Sequence, residues 1–323
     1  MTGRADLIDR FLTNSEWANW QRLALAGDAS SRRYERLSNG RSQVILMDAP
    51  PENGALTEPF ARITKLLQDI NLSPPDVLAH DKTLGIMILS DLGPDDFAGW
   101  LKQHPTESLG LYRAATEVLV HLQNTPAPDD LIHMTPEVGA QMVEITGEFY
   151  AAKPTPDLTQ EMQRAMDVLA PVADTLSLRD YHAENLIWRP DQHGLARVGL
   201  LDYQDAFIAP TGYDLASLLR DVRRDIDPAL AQEITAYFMA KTKASREFPA
   251  QLACLGAQRN LRILGVFARL SKVMGKKRYI DLIPRVWANL MADLRHPALK
   301  QLDQAVRDTL PTPDEATLIR LRR

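Results

Sequence analysis

The sequence predicts an α+β chain of two lobes, a small antiparallel sheet with one helix followed by a larger, mainly helical lobe. Three observations predict it. At 323 residues the chain exceeds what one ordinary core accommodates. Near residue 95 its texture changes, from short apolar runs separated by Gly, Asn and Ser turns to long amphipathic segments broken by proline. A composition 45% hydrophobic and 24% charged supplies packing material in the proportions of an ordinary globular protein.

In the first stretch, Leu23 to Ala26, Tyr34 to Leu37 and Gln43 to Met47 read as strands joined by the turns GDASS and SNGRS. Leu56, Phe60, Ile63, Leu67 and Ile70 recur at spacings of three and four, so one helix with a single buried face follows. Gly85 to Leu89 is a further strand, running into SDLGPDD, a bend suited to a connection between lobes. The expected lobes are residues 1–92 and 93–323. Beyond residue 105, PTESLGLYRAATEVLVHLQNT places Leu109, Tyr112, Leu119 and Leu122 on one side of a helix. TPAPDD and AAKPTPD separate later helices, and amphipathic segments fill residues 214–310. One exception stands in this lobe: Leu186-Ile187-Trp188 and Val198-Gly199-Leu200-Leu201 flank the turn RPDQHG and read as a hairpin inside it.

Composition narrows the partners. A net charge of -5 offers no basic footprint for nucleic acid or an anionic membrane. Apolar runs such as Leu84 to Leu89 fall far short of the roughly 20 residues a membrane helix needs. Residues 1–20 lack the apolar stretch of a secretory signal, and the single cysteine, Cys254, excludes an internal disulfide or multi-cysteine zinc site. The expectation is a cytoplasmic monomer or weak dimer with no nucleic-acid or membrane partner.

The chemistry gathers in LRDYHAENLIW. Asn185 precedes the first hairpin strand and Asp202 follows the second, so pairing the strands brings them together beside the loop of Asp180. Asp-x4-Asn, a hairpin, then Asp suits phosphoryl transfer: one carboxylate faces the attacking hydroxyl, while an amide and a second carboxylate offer oxygens to magnesium. Alone, Asp180 and Asn185 also read as residues that cap or brace a turn, and it is the hairpin and the Asp after it that turn the pair toward phosphoryl transfer. His182-Ala183-Glu184 matches the H-x-E of zinc deaminases, but the P-C-x-x-C partner is absent.

RDYHAENLIW, followed by GLLDYQDAFIAPTGYDLASLL, resembles the catalytic and metal-binding core of the aminoglycoside phosphotransferase-like kinases, a branch of the protein-kinase-like fold. The resemblance makes Asp180 the catalytic aspartate, Asn185 and Asp202 the Mg2+ ligands, ATP the phosphate donor, and Asp214 a brace of the loop. GDASSRRYERL, VILMDAPPE and QRNLRILGVFARLSKVMGKKRYIDLIPRVWANL are similar to a narrower group, the bacterial N-acetylmuramate/N-acetylglucosamine anomeric kinases of cell-wall recycling. It implies an amino sugar phosphorylated at its C1 hydroxyl. The alternatives are an aminoglycoside or other small-alcohol kinase of the same fold, and a nucleotide-binding pseudokinase.

Two positions depart from the broader family. Its third strand usually carries a lysine to the phosphates, where this chain has Met47; either another cation serves, with Arg32 and Arg33, after the turn that holds Ser30 and Ser31, the nearest candidate phosphate ligands, or nucleotide binding is impaired. Glu58, where the lysine's partner usually stands, either pairs with an arginine or favours a helix N-terminus. The position two before Asp180 is Leu178 instead of a bracing histidine. For adenine, the backbone of Ser90, Asp91 and Leu92 takes the place of a kinase hinge. For the sugar, the candidates are Gln204, Asp205, Arg223, Arg259 and Asn260. Trp188 and Trp287 are expected in the core.

Overall fold

A computed structural model of the chain describes residues 3–25, 32–53 and 56–323. The expected phosphate-turn residues Ser30 and Ser31 lie outside the described residues. In chain order the first elements are α1 (Arg4–Thr13), β1 (Gln21–Ala24), β2 (Arg33–Ser38), β3 (Gln43–Asp48), α2 (Glu58–Asp69), β4 (Val77–Asp81), β5 (Ile86–Ser90) and α3 (Phe97–Gln103). There follow α4 (Ser108–Gln123), α5 (Pro136–Gln141), α6 (Pro156–Leu169), β6 (Thr175–Ser177), β7 (Leu186–Trp188), β8 (Val198–Leu200) and β9 (Phe207–Ala209). The chain closes with α7 (Tyr213–Leu219), α8 (Pro228–Thr242), α9 (Phe248–Met274), α10 (Ile283–Leu294), α11 (Lys300–Thr309) and α12 (Glu315–Arg322).

Two compact units result, residues 1–103 with 184–205, and residues 104–183 with 206–323. The first holds a five-stranded antiparallel sheet of order β1-β2-β3-β5-β4. Period-two alternation sends Val44, Leu46, Ile86 and Ile88 to one face, where Ile8 and Leu12 of α1 cover them. Tyr34, Met47 and Met87 are in register across three strands and share the opposite face. Both α1 and β4 escape the sequence reading: charges interrupt the apolar positions of α1, and VLAHD is too short and mixed to signal a strand.

The hairpin β7–β8 belongs to this first unit, which differs from the expectation of a hairpin inside the helical lobe. Backbone bonds decide its place. Leu200 N–H donates to the Ser73 carbonyl at 2.9 Å and Trp188 N–H to the Asp95 carbonyl at 2.7 Å. Tyr203, just beyond β8, stacks on Phe60 of α2 at 5.1 Å. Its buried hydroxyl lies 2.7 Å from that of Thr64, which already donates to the Phe60 carbonyl, so Tyr203 is the donor. The boundary in sequence likewise falls at Gln103, past the bend expected at residue 92, because α3 packs its Phe97 edge-on to Trp188. Trp188 is buried, as expected of a core residue, and Trp287 stacks on Tyr150.

The second unit is helical around α9, whose buried side includes Leu255, Leu261, Leu264 and Phe267. Gly265 lets this helix touch the segment Thr146–Ala151: a Cβ there would stand 2.5 Å from the Ile145 backbone. Across the same contact, Thr146 donates its hydroxyl to the Leu261 carbonyl. Among the described residues no helix is long and apolar enough to cross a membrane.

Candidate active site

In the second unit, β6 delivers the chain into the Asp180 loop and α7 holds it. Gly212, with φ +93°, makes the tight turn that aims the first turn of α7 at the loop; a Cβ there would press on Phe248 at 3.0 Å. Asp214 accepts from the Ser177 hydroxyl at 2.7 Å and from the backbone N–H groups of Leu178 and Arg179 at 2.6 and 3.0 Å. Burial pushes this carboxyl up to about 6, against the pull of those donors and of Arg259. Asp214 therefore braces the loop from α7, and Leu178 beside it is a buried hydrophobe. On the far side, the Tyr181 hydroxyl donates to the Ala115 carbonyl of α4 at 2.8 Å.

Arg179 adopts φ +72°, a left-handed backbone that costs a long side chain about 1 kcal/mol and persists because Asp214 and Arg259 grip both its ends. Arg259 donates to the Arg179 carbonyl at 2.7 Å, and its guanidinium reaches to 3.7 Å from the Asp180 carboxylate. Its side chain is 7% exposed while that of Asp180 is 39% exposed, so the acid, not the base, presents itself outward. Burial pushes the Asp180 carboxyl up, but Arg259, His182, Arg179 and Arg262 outweigh it and hold the group below the ordinary carboxylate range. Asp180 is ionised at neutral pH.

In the first unit, pairing of β7 with β8 brings Asn185 and Asp202 together as expected, with the Asn185 amide nitrogen 3.5 Å from a carboxylate oxygen of Asp202. Asp202 has φ +57°, and its exposed carboxylate accepts from Gln204 at 2.9 Å. Gln204 is thereby a positioning residue for Asp202, a role its spacing in DYQ did not announce. Tyr203 and Thr64, which anchor this turn on α2, were equally silent in the sequence because their contact spans distant segments.

The remaining predicted residues scatter. Met47 is 0% exposed, and Arg33 stands 3.9 Å from Asp48, whose carboxylate is gripped at 2.7 Å by Arg4. Arg32 lies at the entry to β2 and Glu58 in the first turn of α2, where it favours the helix N-terminus. Ser90 accepts from the Asp76 N–H through its hydroxyl, and Asp91 is locked by Arg36 at 2.6 Å, which fixes the segment ahead of Leu92. Asp205 is exposed at the end of the first unit. Arg223 bonds His182 at 3.1 Å, giving that histidine a partner inside its own unit. Asn260 corrects its expectation as a sugar ligand: it is 0% exposed and donates to the Gly256 carbonyl one turn back on α9. Two residues the sequence reading passed over, Arg179 and Arg262, contribute to the field at Asp180. Three-residue spacing on α9 from Arg259 to Arg262 was the available signal.

Comparison with known proteins adds to this geometry. The profile of the phosphotransferase enzyme family, APH, matches residues 22–248. The N-acetylmuramate/N-acetylglucosamine kinase of Caulobacter vibrioides is 36% identical over 90% of this chain and 93% of that protein. The protein of the same name from Neisseria meningitidis is 32% identical over 80% and 81%. Among solved structures, a choline/ethanolamine kinase family protein of Mesorhizobium loti has a TM-score of 0.65 at 15% identity, covering 95% of this chain and 100% of that one. A choline kinase of Streptococcus pneumoniae gives 0.62 at 14% identity, over 89% and 99%. At such identities these structures show the fold, the expected small antiparallel sheet and larger helical body of protein-kinase-like phosphotransferases.

Proposed function

The chain belongs to the phosphotransferase enzyme family, and on that premise we propose that it transfers the terminal phosphoryl group of ATP to the anomeric C1 hydroxyl of N-acetylmuramate or N-acetylglucosamine. The observation that carries this reading is a fixed, ionised carboxylate at Asp180 together with the Asn185 and Asp202 oxygens, in a chain 36% identical to a kinase of these sugars.

Asp180 accepts a hydrogen bond from the acceptor hydroxyl and aims it. As an acid held below its ordinary pKa it is a weak base, so its work is orientation, with the proton leaving late in a loose transition state. An anomeric hydroxyl, more acidic than an ordinary alcohol, suits that arrangement. Asn185 and Asp202 fit Mg2+: they offer oxygen donors close together, one exposed, on a turn held by Gln204 and Tyr203. Bound there, magnesium would supply charge neutralisation on the phosphates. Arg32 takes the role of the strand lysine that Met47 replaces, since Arg33 stands with Asp48 on the other face of the sheet, and the backbone of Ser90 to Leu92 receives adenine.

An ATP-consumption screen over N-acetylmuramate, N-acetylglucosamine, choline and kanamycin, with magnesium omitted as a control, tests the reading. Turnover with the amino sugars and product NMR showing phosphate on C1 are expected. Preference for choline or kanamycin, or ATP binding without turnover, overturns it.

A further inference from the structure

Arg259 and Arg262 are three residues apart on α9 and so share one face, about 5 Å between side-chain origins. Arg259 touches Asp180 and the Arg179 carbonyl, which places Arg262 one turn further along the same wall. Arg179 projects from the loop with its guanidinium 5.9 Å from the centre of the Phe207 ring, and its buried Nε has no hydrogen-bond partner among the described residues. Neither Arg179 nor the half-buried Arg262 makes an ion pair among the described residues. Asp180 and Asp214 are the two carboxylates set against the three guanidiniums Arg179, Arg259 and Arg262, and Asp214 is committed to Ser177 and the loop backbone. Positive charge is therefore in excess beside the group that aims the acceptor hydroxyl.

We propose that Arg262 and Arg179 form a site for a carboxylate carried by the acceptor sugar, the lactyl ether carboxylate at C3 of N-acetylmuramate. The proposal rests on the amino-sugar reading above. A guanidinium fork matches a carboxylate through two parallel hydrogen bonds, and C3 is two carbons from the C1 hydroxyl that Asp180 aims. The lactyl group thus extends along the sugar by a distance comparable with one helical turn, the separation of Arg262 from the arginine at Asp180. N-acetylglucosamine lacks this carboxylate, so the arginines set the preference between the two acceptors rather than the chemistry common to both.

The test compares kcat/KM for N-acetylmuramate, its methyl ester and N-acetylglucosamine in the wild-type protein and in Arg262→Gln and Arg179→Gln, with thermal melting to verify folding. In the wild-type protein the ester is expected to lose about tenfold or more relative to the acid. Arg262→Gln is expected to lose about tenfold more on N-acetylmuramate than on N-acetylglucosamine, and to treat acid and ester alike. Should Arg179→Gln fail to fold, the ester comparison and Arg262→Gln decide the matter. Equal losses on both sugars would assign the arginines to phosphoryl transfer and overturn the carboxylate site alone. So would an ester turned over as well as the acid. Wild-type inactivity on both sugars would overturn the amino-sugar reading, and this site with it.

Discussion

The loop of Asp180 and the turn of Asp202 are held in opposite ways. Around Asp180 the backbone is fixed from three directions: Asp214 takes two consecutive N–H groups, Arg259 takes the next carbonyl, and Tyr181 ties the following residue to α4. Hydrogen bonds to charged groups contribute about 1.5–3 kcal/mol each, so this loop is rigid before any ligand arrives. Asp202, by contrast, is exposed and approached by the amide side chains of Gln204 and Asn185, the latter at a long 3.5 Å. A group that aims a hydroxyl gains from being fixed in advance, whereas oxygens offered to a cation can be drawn into place by it.

The contrast can be broken by substitution, beginning where the effect is largest. Asp180→Ala and Asp202→Ala are each expected to lower kcat by about 10³, yet to separate in a nucleotide-binding titration. Asp180→Ala keeps its affinity for ATP with magnesium, and Asp202→Ala loses it; identical binding by the two variants would erase the distinction. Next is Asp214→Asn, which removes the charge that holds the Leu178 and Arg179 amides and should cost about 10² in kcat with little change in nucleotide affinity.

The same carboxylate predicts the acid side of the pH profile. Burial raises Asp214 to about 6, so it gains a proton as pH falls through that value, while Asp180, held low, stays ionised. The loss of kcat on acidification is therefore expected near pH 6 and should vanish in Asp214→Asn. An acid limb below the ordinary carboxylate range in the wild-type protein would show that Asp180 controls it instead.

Gln204→Leu is a smaller perturbation, about tenfold, read as a higher magnesium requirement at unchanged saturating kcat. The smallest is Tyr203→Phe, which deletes one buried hydrogen bond to Thr64 at about 1 kcal/mol and lowers Tm by about 2–4 °C. If Tyr203→Phe instead weakened magnesium use as strongly as Gln204→Leu, the Asp202 turn would be as tightly preset as the Asp180 loop.

Much of this was legible in advance because it is local. Helix α2 follows from the spacing of Phe60, Ile63 and Leu67, and the hairpin β7–β8 from two apolar runs about one turn; that hairpin alone suffices to bring Asn185 to Asp202. Asn260 misled because a polar residue on an apolar helix looks the same in sequence whether it faces a ligand or bonds its own helix. Gln204 is a sugar candidate in the sequence, while in the structure its amide donates to Asp202, a contact its spacing does not announce.

The sequence by itself determined α2, the β7–β8 hairpin that brings Asn185 near Asp202, and the expectation of a small sheet ahead of a helical body, since each depends on local patterning along the chain. Only the tertiary structure decided that β7–β8 packs with the first unit, that Asp214 takes the Leu178 and Arg179 amides, and that three arginines from two segments gather beside Asp180. Those facts depend on hydrogen bonds and burial between residues 30 to more than 100 positions apart, such as Asp214 with Leu178 and Thr64 with Tyr203, and no periodicity in a chain encodes which distant groups will meet.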